Sequence, residues 1–365
     1  MYLAIKEISK EKGRFLMIIL ITSLLAYLVY FLSSLAFGLA TLNKTAIDNL
    51  DTNGFIMNKN ANENIYSSSI DLDLIENLEL DKKNAINLTT GNLFIETDDE
   101  TLLDGVFLGY DLSNEKIEPI LVEGRSIENK DEVVVSQTFE ELSLGDKITL
   151  TSNNRIFEVV GKTEDANYNT LPVIYFDREM VSAEMLMYQS DEADMTTSGT
   201  PNMPKRVSAV LVYDEVNTEK LNDNHLELID IDDFINNIPG YTAQILTFGL
   251  MIGALSIIAS IVIGIFMYIL TMQKKSIFAV LKIQGFKDSM IAKSVLYQTF
   301  ILVVLGFGLG YLASLLTIWL LPSSVPVALY TPLNLIVTFS SIVFALIGTL
   351  FSARSILKID PLEAL

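Results

Sequence analysis

Cysteine is absent from this 365-residue chain, histidine and tryptophan each occur once, and four long stretches carry no charge. Without cysteine there are no disulfides, iron–sulfur clusters or thiolate zinc sites. The single histidine, His225, lies in a polar stretch, and no His/Glu/Glu or His/Cys/Asp grouping offers a metal site or an activated nucleophile. It reads as a solvated surface side chain. Gly161-Lys162-Thr163 ends like a phosphate-binding loop, but such a loop needs a glycine at 156, where the chain has Ile156. The segment is therefore expected to be a turn after a strand, and energy from ATP would have to come from another subunit. The acidic clusters Asp98-Asp99-Glu100 and Asp230-Ile231-Asp232-Asp233 lack the alternating spacing of a calcium loop and read as solvated charge.

What the chain has is apolar length. Half of its residues are hydrophobic and the mean hydropathy is +0.39, which places it among membrane proteins. Residues 15–40, 245–272, 295–321 and 332–353 each reach the roughly 20 apolar residues needed to cross a bilayer. The first is too long for the h-region of a cleaved signal peptide and reads as an anchor. The net charge of −20 is unevenly spread, because residues 41–240 alone hold 40 acidic and 14 basic side chains. A block that acidic disfavours nucleic acid and anionic lipid surfaces as partners.

Lysine and arginine fix the expected orientation. Lys6, Lys10, Lys12 and Arg14 precede the first span, Lys274, Lys275, Lys282, Lys287 and Lys293 fill the second connection, and Arg354 and Lys358 follow the last span. The connection around Pro322-Ser323-Ser324-Val325-Pro326 has none. The predicted order is a cytoplasmic interfacial amphipathic helix (1–12), a first span (13–40), an extracytoplasmic domain (41–240) and a second span (241–272). A cytoplasmic loop (273–294), a third span (295–321), a short external loop (322–331), a fourth span (332–353) and a cytoplasmic tail (354–365) complete it. This is a multi-pass protein of the plasma membrane with both termini inside.

The 41–240 block reads as a mixed α+β domain. Strands are predicted at 92–95, 106–110, 132–135, 147–150, 156–160, 173–176 and 209–213, short runs bounded by turn residues. Helices are predicted at Ser136–Leu144, Asp177–Tyr188 and Thr218–Asp223, and a polar loop at 189–206. Within the spans, Gly306-x-x-x-Gly310-x-x-x-Ser314 and Ser256-x-x-x-Ser260-x-x-x-Gly264 predict close helix packing and allow a dimer. Tyr27, Tyr30, Phe31 and Met251 are candidates to line an apolar substrate pocket, although packed or lipid-facing side chains explain them as readily.

The loop 273–294 sets Ile277, Phe278, Val280, Leu281 and Ile283 among lysines before a break at Gly285, with Phe286 and Met290 beyond it. An amphipathic helix at the membrane face suits either a lever on a soluble partner or a positively charged topology anchor. The first reading makes Phe278, Val280, Leu281, Lys282, Gly285, Phe286 and Met290 the residues that take up motion from an ATPase.

Phe278-Ala279-Val280-Leu281-Lys282-Ile283-Gln284-Gly285-Phe286 and Ala353-Arg354-Ser355 followed by Asp360-Pro361-Leu362-Glu363-Ala364-Leu365 resemble conserved blocks of FtsX/MacB-type ABC transporter permeases. Val122-Glu123-Gly124-Arg125, Asp131–Ser136, Leu144-Gly145-Asp146-Lys147 and Phe157–Gly161 resemble the MacB-like periplasmic core of that family. Ile238-Pro239-Gly240-Tyr241, Thr247-Phe248 and Tyr297-Gln298-Thr299 look like the haem-exporting permeases of Gram-positive bacteria and the DevC-type exporters. The resemblance covers nearly the whole chain. It implies a homodimeric permease on two copies of a cytoplasmic ATPase that holds the ATP and magnesium. This chain itself would bind no cofactor, and haem or another amphiphile would be cargo taken from the membrane. A signalling subunit that activates a cell-wall hydrolase or sensor, and an exporter of antimicrobial peptides or lipids, are the alternatives.

Overall fold

The computed structural model describes residues 10–95, 98–181, 206–322 and 325–357. Most of the predicted interfacial helix, the 189–205 loop and the last eight residues lie outside that set. The chain forms two compact units.

The helical unit contains four long apolar helices, α1 (Lys12–Leu42), α6 (Tyr241–Gln273), α8 (Asp288–Leu320) and α9 (Thr331–Leu357). All four are long and apolar enough to cross a membrane. At Gly310 of α8 a Cβ would fall 2.7 Å from the Cβ of Ala26, so a larger residue would force α1 and α8 apart. Gly306 sits one turn earlier against Thr22, and Ser314 one turn later is buried. A parallel arrangement joins α6 to α9: Ser256 and Ser260 are buried, and a Cβ on Gly264 would lie 3.6 Å from the Cα of Gly348.

The second unit is a mixed α+β domain inserted between α1 and α6, so the chain has the predicted fold class. Four short helices, α2 (Thr45–Asp48), α3 (Leu72–Asn77), α4 (Thr218–Asp223) and α5 (Ile231–Asn236), accompany its strands. The main sheet runs β13-β1-β12-β3-β4-β10-β6-β8-β5. Its strands are β1 (Gly54–Asn58), β3 (Ala85–Ile95), β4 (Asp98–Tyr110), β5 (Leu121–Gly124), β6 (Glu132–Ser136), β8 (Ile156–Thr163), β10 (Leu171–Asp177), β12 (Ala209–Val212) and β13 (Leu226–Asp230), with β9 (Asn167–Tyr168) paired to β10, while β2 (Ile70–Asp71) and β11 (Arg206–Val207) pair with each other apart from it. Strand β7 (Lys147–Leu150) pairs with both β3 and β8. That double pairing closes β3, β4, β10, β6, β8 and β7 into a ring, which removes the edges those strands would otherwise expose.

Period-two alternation decides which side chains fill the ring. Phe107, Val133, Val135, Ile174, Phe176, Phe157 and Val159 form one core cluster, while their neighbours Val106, Leu108, Val134, Val173, Tyr175 and Val160 belong to another. Phe176 meets Phe107 and Phe157 edge to face at 5.2 and 5.0 Å.

Two predicted helices are corrected. Ser136–Leu144 forms turns, because Phe139 and Leu142 both drop into the ring core. The Ser136 hydroxyl, expected to cap a helix, accepts from the backbone N–H of Thr138 at 3.3 Å and also from that of the distant Ala166 at 3.0 Å. From the predicted helix Asp177–Tyr188 the structure keeps a single 3-10 turn, Arg178–Met180, and residues 182–188 lie outside the described set. Arg178 leaves the helical path to donate to the carbonyls of Lys82 and Ala85.

Candidate functional site: a two-faced helix at one end of the bundle

After α6 the chain breaks at Lys274, forms α7 (Lys275–Ile283) and turns at Gly285 into α8. Gly285 has φ +90, a conformation that glycine adopts without the Cβ clash other residues meet. Its N–H donates to the carbonyl of Lys282 at 2.9 Å, and that of Phe286 to Leu281 at 3.1 Å, which satisfies the last carbonyls of α7. Lys274 is itself buried, with its ammonium 5.2 Å from the centre of the Phe15 ring.

The seven residues predicted to take up motion divide between two faces. Phe278 is 1% exposed and shares a core cluster with Phe15, Ile18, Ile291 and Val295, while Leu281 packs against that cluster. Lys282 lies in an ion pair with Asp288. Val280, Gly285, Phe286 and Met290 are exposed. Ile277 and Ile283, at three-residue spacing on either side of Val280, complete the exposed row. The predicted group of seven put the buried Phe278 and Leu281 together with the exposed Val280 and left out Ile277 and Ile283. The signal that separates them is the helical period, which puts 277, 280 and 283 on one side and 278 and 281 on the other.

The candidate pocket residues are dispersed by role. Tyr30 is buried, its hydroxyl donating to Thr338 Oγ1 at 2.6 Å and its ring meeting Phe307 and Tyr311 edge to face. Tyr27 stacks on Phe31 with centroids 6.0 Å apart, and Met251 is half exposed on α6. Among the described residues no group of three His, Asp or Glu side chains comes together to hold a metal ion.

Residues 249–361, which take in most of α6, all of α7 and α8, and α9, match the family model described as FtsX-like permease C-terminal. The chain carries an FtsX-like permease domain. Over its full length it is 26% identical to the "Putative hemin transport system permease protein HrtB" of Staphylococcus haemolyticus, with 100% of this chain and 99% of the relative covered. A second relative of the same description, from Staphylococcus epidermidis, is also 26% identical over 100% and 99%. Among solved structures, the periplasmic region of MacB from Actinobacillus actinomycetemcomitans aligns over 51% of this chain and 92% of its own, with 17% identity and a TM-score of 0.33. The extracellular domain of the noncanonic ABC-type transporter YknZ aligns over 48% and 99%, with 15% identity and a TM-score of 0.31.

Proposed function

We propose that the chain is the permease subunit of an ATP-driven efflux transporter, moved by a separate cytoplasmic ATPase that docks on the exposed face of α7 and the start of α8. The observation that carries this reading is the division of the segment into two faces. Ile277, Val280, Ile283, Phe286 and Met290 form an apolar row in the open, while Phe278 roots the same helix in the bundle. A partner that seats the row displaces water from it, and the buried face passes the movement to the spans. Lys287 and Lys293 stand exposed nearby, which favours the cytoplasmic side for this end of the bundle. On that orientation the acidic domain lies outside and both termini inside.

The cargo we favour is haem or a similar amphiphile, supported by the full-length similarity to the two staphylococcal relatives and their printed description. We further infer a homodimer. Gly249 and Gly253 of α6, spaced as Gly-x-x-x-Gly, both face open space within one copy, and Leu246 and Leu250 beside them are exposed. Such a stripe is suited to the same helix of a second copy.

Deleting the gene and challenging the cells with haem tests the cargo, and purifying the full-length chain in mild detergent tests the partner. Greater haem sensitivity and a co-purifying ATPase subunit are expected. Unaltered haem tolerance would discard the cargo, and a chain that never retains an ATPase would discard the mechanism.

A further inference from the structure

The strongest unexplained chemistry lies between α1 and α9, toward the end at which α1 finishes and α9 begins. One contact joins the two helices and two more join α1 to the connection that leads into α9, so that α1 and α9 run antiparallel. Tyr30 bonds Thr338, the Ala328 N–H donates to the carbonyl of Ser34 at 3.1 Å, and Phe37 stacks on Tyr330 with centroids 4.5 Å apart. Ser34 is one turn beyond Tyr30, and Asn334 is one turn before Thr338, so each moves about 6 Å in the same direction. Bracketed by the Tyr30–Thr338 and Phe37–Tyr330 contacts, Ser34 and Asn334 face the same seam at the same level.

Both residues are enclosed, Ser34 at 1% and Asn334 at 5% exposure, and neither the Ser34 hydroxyl nor the Asn334 side-chain nitrogen has a hydrogen-bond partner within the protein. An amide N–H without a partner is costly in any protein interior, and surrounding lipid offers it nothing in exchange. Two polar neighbours along the helices, Thr338 and Ser33, are already committed. Thr338 Oγ1 donates to the carbonyl of Asn334 at 2.6 Å and accepts from Tyr30, and Ser33 donates to the carbonyl of Val29 at 2.8 Å.

We propose that Ser34 and Asn334 form a binding site for one water molecule between the first and fourth spans. The water oxygen accepts from the Asn334 amide N–H through one lone pair and from the Ser34 hydroxyl through the other. This satisfies both orphan groups with the few hydrogen bonds a buried water makes. The site belongs to the helical unit and stands whether or not the chain moves haem or engages an ATPase.

Radiolytic footprinting of the full-length chain in lipid nanodiscs, carried out in ¹⁸O-enriched water, tests it. A water held in the seam generates hydroxyl radical beside Tyr30, so Tyr30 should acquire label faster than Phe307, which is equally buried and packs on the same ring. Asn334→Leu replaces the amide with methyl groups of nearly the same shape and should lower labelling of Tyr30 by about threefold or more, with Phe307 unchanged. Ser34→Ala, a smaller change, should lower it in the same sense. Tyr30 labelled no faster than Phe307 in the unsubstituted chain, as a direct Ser34–Asn334 hydrogen bond would give, overturns the site. Labelling of Tyr30 that neither substitution alters overturns it as well.

Discussion

The ammonium of Lys282 lies 3.0 Å from Asp288 Oδ1, joining the last turn of α7 to the first turn of α8 across the bend at Gly285. Each charge sits at the helix end whose dipole favours it, cation at a C-terminus and carboxylate at an N-terminus. Lys282 is mostly enclosed and Asp288 about half exposed, so solvent screening keeps the pair to about 1 kcal/mol. Lys282→Glu should place two carboxylates together and speed amide exchange at residues 283–288. The double exchange Lys282→Glu with Asp288→Lys should recover only part of the loss, because both charges then oppose their helix dipoles. Full recovery would mean that the dipoles contribute nothing measurable here.

The two faces of α7 make opposite predictions for the same kind of substitution. Phe278→Asp introduces a carboxylate among Phe15, Ile18 and Ile291. It should destabilise the protein by about 3–5 kcal/mol or more, seen as lost yield and a broad, lowered melting transition in detergent. Val280→Asp alters an exposed position and should leave the melting transition within about 0.5 kcal/mol of the parent while abolishing ATPase retention and export. If Val280→Asp retained the ATPase at full level, the exposed row would not be the docking face.

How much of this was written in the sequence depends on whether a signal repeats along the chain or is made by distant segments. The spans are runs of apolar residues long enough to satisfy a bilayer, and the strands around Val133–Val135 and Val173–Phe176 are short runs of β-branched and aromatic residues bounded by polar residues or proline, so both are legible locally. Closure of the ring by β7 is not, because Ile148 looks the same whether its strand has one neighbour or two. Ser136 was misread because a serine before acidic residues suits a helix cap; its hydroxyl does accept from the Thr138 N–H, but it also holds Ala166 in a distant turn, and no helix follows. The candidate site was legible as a segment, with the assignment of Phe278 and Val280 to opposite sides requiring the helix they sit on.

Glu132 gives the inserted domain a pH-dependent element. Its carboxylate accepts two hydrogen bonds from Arg125 at 2.7 and 2.8 Å, one from the Asn129 amide at 2.8 Å, and those of the Glu128 and Asn129 backbone N–H groups at 2.9 and 3.2 Å. The Arg125 guanidinium, above all, holds the carboxyl well below the usual carboxylate range, against the opposing effect of burial. A depressed value in the folded state means that this stability is fully present at neutral pH and declines as pH falls below roughly 4.3, the ordinary value for a glutamate. Glu132→Gln should cost about 1–2 kcal/mol at pH 7, since Arg125 is nearly half exposed and partly screened. The deficit should shrink on acidification, and a Glu132→Gln deficit that is constant from pH 7 to about pH 3 would contradict the assignment.

The glycines of the bundle separate folding from assembly. Gly310 is pressed against Ala26 and the carbonyl of Ser23, so Gly310→Leu should drive α1 from α8 and lower stability by about 1–3 kcal/mol or more in a single copy. Gly253 has nothing within 4 Å of where a Cβ would stand, and Gly253→Leu is accommodated within one chain without displacing anything. Its effect falls on whatever approaches α6 from outside. Counting photobleaching steps of the full-length chain in nanodiscs at low density should therefore give two for the parent and one for Gly253→Leu, with the melting transition retained. Two steps for Gly253→Leu would remove α6 from the dimer interface, because a leucine at the centre of a Gly-x-x-x-Gly contact prevents the backbone approach that makes such a contact worth forming.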